Sequence, residues 1–71
     1  MKLSVNLASP PDREKLVAEI FCDDEQWAEL HQETEKLTLE IYPRRNGEPW
    51  KLSYEQAIEA LRVAKSRLAG R

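Results

Sequence analysis

Residues 16–42, LVAEIFCDDEQWAELHQETEKLTLEIY, decide the fold. Ala18, Ile20 and Cys22, then Ala28 and Leu30, then Leu37, Leu39 and Ile41 recur at every second position. That is the period of strands with one face buried. The alternation predicts strands over 16–22, 27–32 and 37–42. A three-residue loop, Asp23-Asp24-Glu25, and a tight turn around Thr34-Glu35 would put every apolar group on the same side.

Downstream, Asn46-Gly47 is the dipeptide best suited to a type I′ hairpin, whose central residues both need positive φ. It predicts a short fourth strand over 50–52, with Ile41 facing Leu52 and Tyr42 facing Lys51. A helix follows over 53–69. Ser53 and Gln56 have the spacing of a capping box, with Leu52 and Ala57 as its hydrophobic staple. Tyr54, Ala57, Ile58, Leu61, Ala64 and Leu68 form one apolar stripe expected to cover the sheet. Glu55 and Glu59 suit the positive end of the helix dipole, Lys65 and Arg67 the negative end, and Gly70 the position after the last turn.

Upstream, Leu3, Val5 and Leu7 alternate with Ser4 and Asn6 before Pro10-Pro11-Asp12 ends any regular structure. Two readings are open here, a short edge strand and a frayed terminus. The expectation is an α+β fold, a four-stranded antiparallel meander packed against one C-terminal helix. Residues 1–14 form an N-terminal segment and 15–71 a single ββββα domain.

A chain of 71 residues has room for one domain and buries only about 60% of the surface its unfolded form exposes, so association would help to stabilise it. With 41% hydrophobic and 34% charged residues it has the composition of a folded globular chain. Eleven basic residues against 13 acidic ones leave a net charge of −2, which disfavours binding to nucleic acid and to anionic membranes. Arg44, Arg45 and Lys51 gather near the last turn, and Arg62, Lys65, Arg67 and Arg71 at the end of the helix. An exposed turn and the helix dipole account for both groups. Cys22 is the only cysteine, so no intramolecular disulfide forms, and a lone thiol fits a reducing, cytoplasmic setting. Ser4 and Asn6 interrupt the apolar start too early for a targeting or membrane-spanning segment.

No stretch carries a catalytic, cofactor or metal signature, and no enzyme is expected. Cys22 belongs to the core face and His31, the only histidine, to the outer one, so they do not form a nucleophile and base pair. No nucleophile elbow surrounds Ser4, Ser9, Ser53 or Ser66. Asp23-Asp24-Glu25 lacks the alternate-residue spacing of a calcium loop, and Gly47 and Gly70 alone cannot build a phosphate-binding loop.

The outer face is more informative. One register sets Phe21, Trp27 and Tyr42 in a row, then Glu19, Glu29 and Glu40, then Val17, His31 and Thr38. Like charges directly opposite one another destabilise a strand pair, so the glutamate row has to be tolerated or neutralised. Phe21, Trp27, Tyr42, Glu19, Glu29, Glu40 and His31 are therefore the candidate partner-binding residues, aromatic anchors with an acidic flank. Residues 52–61, Leu-Ser-Tyr-Glu-Gln-Ala-Ile-Glu-Ala-Leu, resemble the strand-to-helix step of small antitoxin domains of the HicB type. The resemblance covers under a quarter of the chain and implies no residue roles. The functional expectation is a small non-enzymatic interaction or regulatory module that binds a protein partner or a second copy of itself. The alternative is an acidic inhibitor, of antitoxin or immunity type, that masks a basic partner. An enzyme whose site is completed across a dimer ranks third.

Overall fold

The computed structural model of the chain describes residues 2–70; Met1 and Arg71, the outer ends of the two predicted segments, lie outside it. The alternating stretches form β1 (Leu3–Ala8), β2 (Val17–Cys22), β3 (Glu25–His31) and β4 (Thr38–Ile41), and the capped stretch forms α1 (Tyr54–Ala69). The strands make one antiparallel sheet in chain order, β1-β2-β3-β4. This is the expected α+β class, four antiparallel strands with one C-terminal helix.

The fourth strand comes from the opposite end of the chain to the one predicted. Leu3, Val5 and Leu7 pair with Cys22, Ile20 and Ala18, so the N-terminal segment is an ordered strand on the core side of the sheet. Residues 50–52 form no strand. In the predicted hairpin Pro43 would face Trp50 at a hydrogen-bonded position of the ladder, where a proline cannot donate. The dipeptide Asn46-Gly47 instead closes a turn in which the Gly47 amide donates to the Arg44 carbonyl at 3.0 Å. Only Gly47 takes positive φ there, at 78°. The returning chain lays Trp50 against the sheet, its indole N–H donating to the Tyr42 carbonyl at 2.7 Å and the Arg44 guanidinium 5.2 Å from its ring centre.

The β2–β3 hairpin shows how two departures from the predicted register cancel. Cys22 pairs directly with Glu25, so the loop is one residue shorter than expected, with Asp23 at a positive φ of 56°. A bulge restores the count, because Phe21 pairs with Gln26 while Ile20 pairs with Ala28, leaving Trp27 as the additional residue. Beyond it the predicted pairs Glu19 with Glu29, Glu29 with Glu40 and His31 with Thr38 all form. The aromatic row is broken at its first step, since Phe21 faces Gln26 and not Trp27.

The helix begins as predicted, with Ser53 Oγ accepting the Gln56 amide at 3.3 Å. It packs against β1 and β2. Its buried residues are Ala60, Ala64 and Leu68, whereas Tyr54 and Ile58, expected in the covering stripe, are exposed. Pairing β1 onto β2 moves the deep part of the core toward that edge, and the helix follows it. Val17, Ala18, Ile20 and Ala28 are fully enclosed, while Leu39, expected beneath the helix, is 41% exposed.

Candidate functional site

The glutamate row is neutralised by a residue from outside the three predicted strands. The connection between β1 and β2 makes a turn, with the Arg13 amide donating to the Pro10 carbonyl at 3.1 Å. From there Arg13 reaches over the outer face. Its guanidinium donates to Glu29 at 2.6 Å and to Glu40 at 3.3 Å. Glu29 also accepts from the Tyr42 hydroxyl at 2.8 Å, and Glu40 lies 2.7 Å from His31 Nε2. His31 Nδ1 accepts the Glu33 amide at 3.4 Å, which leaves the ring proton on Nε2, directed at Glu40. Two carboxylates that would repel across β3 and β4 are thereby joined through one cation.

These contacts set the ionisation of the cluster. The Arg13 guanidinium, assisted by His31, holds the Glu40 carboxyl below the usual carboxylate range. Burial, reinforced by the Glu29 carboxylate that accepts its proton, pushes the Tyr42 phenol up to about 12. Burial and the neighbouring Asp23 push the Cys22 thiol up, away from the reactive thiolate. Cys22 pairs with Leu3 on the core face, and His31 with Thr38 on the outer one.

The seven candidate residues on the outer face are thus not equally accessible. Trp27 is 7% exposed and belongs to the main apolar cluster. Glu29 and His31 are buried within the Arg13 network. Glu19 is half-buried between Asn6 and Glu29, and Phe21 and Tyr42 are half-buried. Glu40 is exposed. Arg13 escaped the sequence reading because nothing local ties it to strands 16 and 27 positions away. The available signal was the unbalanced glutamate row, which required a cation.

Donor atoms of Glu29, His31 and Glu40 lie within 4.8 Å of one another, a spacing that could hold a metal ion. The Arg13 guanidinium already occupies the position between the two carboxylates, so a divalent ion would have to displace it.

On the opposite face, β4 and the near side of α1 leave an open apolar groove of about 380 Å³. Leu37, Leu39, Ile58 and Leu61 line it, with Arg62 and Lys65 on its rim. Ile41 is 57% and Ile58 48% exposed. Sequence parity placed all of these except Arg62 and Lys65 in the core. They are open because the helix sits over the other half of the sheet.

No family model matches this chain, and no match was found among curated proteins or solved structures.

Proposed function

We propose that this protein is a small non-enzymatic interaction module that docks a protein partner along β4 and the apolar groove beside it. The single observation that supports this most is the contiguous exposure of Leu37, Leu39, Ile41 and Ile58, large apolar groups that a chain acting alone would be expected to cover. Placement of the acids weighs in the same direction. An acidic inhibitor would present its glutamates to a basic partner, yet Glu29 and Glu40 are engaged by Arg13. The aromatic row offers less than the groove does, because Trp27 is committed to the core.

Binding can be assigned to a face by paired variants in an affinity capture from the native host, with folding checked by circular dichroism. Ile41→Glu together with Ile58→Glu should abolish capture, and Glu19→Lys together with Phe21→Ser should retain it. Loss of capture in the second pair with retention in the first would return the binding site to the outer face and overturn this proposal.

A further inference from the structure

We infer that the partner along β4 is a second copy of this chain, joined edge to edge about a twofold axis at Leu39. The inference rests on the docking proposal above and names its occupant. It starts from the unequal treatment of the two sheet edges. The Lys2 carbonyl accepts the Asp23 amide at 2.7 Å, so alternation turns the backbone groups of Leu3, Val5 and Leu7 away from β2. That edge is partly capped, since α1 packs on β1 and the Arg67 guanidinium donates to the Val5 carbonyl at 2.6 Å.

The β4 edge is bare by comparison. The Tyr42 amide donates to the Trp27 carbonyl at 2.8 Å, which turns Tyr42, Glu40 and Thr38 toward β3 and leaves the N–H and C=O groups of Ile41, Leu39 and Leu37 pointing outward. The same three residues carry the exposed apolar side chains. Backbone donors, backbone acceptors and apolar surface therefore coincide on one strand edge, the arrangement that strand addition uses.

Twofold symmetry about a strand edge requires antiparallel pairing, and the apolar pattern selects the register. In antiparallel pairing, residues directly opposite one another share a face, so only registers that match apolar with apolar positions are available. Setting Leu39 opposite Leu39 matches Leu37 with Ile41 and Thr38 with Glu40. Every apolar residue of the strand then has an apolar counterpart, and each Glu40 faces a hydroxyl, with Lys36 and Glu40 of the other copy at the two diagonal positions. A slip of two residues one way brings Glu40 against Glu40 and Lys36 against Arg44. The opposite slip sets Lys36 against Glu40 but leaves Ile41 of each copy facing Glu35, so the most exposed apolar side chain of the strand goes unmatched. The favoured register joins two four-stranded sheets into one and merges the two grooves into a single apolar floor between the helices. A standard interface of about 800 Å² per partner would cover roughly a sixth of the 5107 Å² surface.

Sedimentation equilibrium between micromolar and millimolar concentration should show a monomer and dimer in exchange. Leu39→Lys and Ile41→Lys, both at exposed positions, should each weaken the dimer at least tenfold while circular dichroism stays unchanged. Register is read by disulfide trapping in a Cys22→Ala background. Leu39→Cys should give a covalent dimer under mild oxidation, because only this residue meets itself at a Cα separation of about 5.5 Å. Leu37→Cys and Ile41→Cys should each fail alone and crosslink when mixed. Wild-type protein that stays monomeric at millimolar concentration overturns the inference, as does a dimer unaffected by Leu39→Lys and Ile41→Lys. The docking proposal survives a monomeric result if Leu39→Lys abolishes capture of a different protein, and falls with the inference if it changes neither.

Discussion

Ile20 and Ile41 lie on the same face of one sheet, and trimming each by a single methylene tests where the helix sits. Ile20 is fully enclosed, whereas Ile41 is 57% exposed. Ile20→Val removes a buried CH₂ worth about 0.8 kcal/mol and leaves a small void, for a total near 1 kcal/mol. In a domain of this size that lowers the melting temperature by about 4–8 °C. At Ile41 less than half of the same transfer energy is at stake and no void forms, so Ile41→Val should cost about 0.3 kcal/mol, or less than about 3 °C. The assay is a pair of thermal melts followed by circular dichroism at low micromolar concentration, chosen to disfavour association. Equal shifts at this concentration would refute the reasoning, because they would require α1 to cover β4 as deeply as it covers β2. Convergence of the two shifts only at high concentration is the behaviour expected if β4 is buried by a second copy.

Two further outcomes follow from named contacts. The Tyr42 phenol, raised to about 12 by burial and by Glu29, should ionise above the ordinary tyrosine value near 10. Its contribution to stability is therefore complete below about pH 10 and lost as pH rises through 12, since the unfolded chain releases the proton first. In Glu29→Gln the phenolate absorbance should develop at lower pH while the part of the shift due to burial remains, and an unmoved midpoint would rule out the Tyr42 to Glu29 hydrogen bond. Ser53→Ala removes the oxygen that accepts the Gln56 amide at 3.3 Å and should cost about 1 kcal/mol, read as a lower denaturation midpoint; an unchanged midpoint would mean that this cap contributes nothing.

Part of the candidate site could be read from residue order. The period-2 pattern placed Glu19, Glu29 and Glu40 in one cross-strand row and His31 beside Thr38, as the sheet has them. The pattern could not show that the hairpin loop would lose a residue and the bulge at Trp27 regain it, because the two changes cancel in the parity of everything beyond them. Nor could it assign Arg13 to Glu29 and Glu40. A long side chain on a connecting loop reaches whichever charges the folded sheet brings beneath it, and that proximity has no local sequence signal.

What the sequence determined by itself is the three strands within 16–42, the pairing of their outer rows beyond the first hairpin, and the helix start at Ser53, while it left 3–7 open and wrongly supplied a strand over 50–52. These follow from interactions within a few residues, such as backbone alternation, side-chain caps and turn geometry. Only the tertiary structure decided which open edge of the meander gained a strand, that of β2 and not that of β4. Leu3–Ala8 could supply an uninterrupted ladder to β2, while Pro43 lacked a donor that pairing at the β4 edge required. The strand added at the β2 edge seated the helix over β1 and β2 and left Leu39 and Ile41 uncovered. Whether an edge gains a strand depends on a segment distant in sequence that can satisfy its backbone groups and enclose its apolar surface.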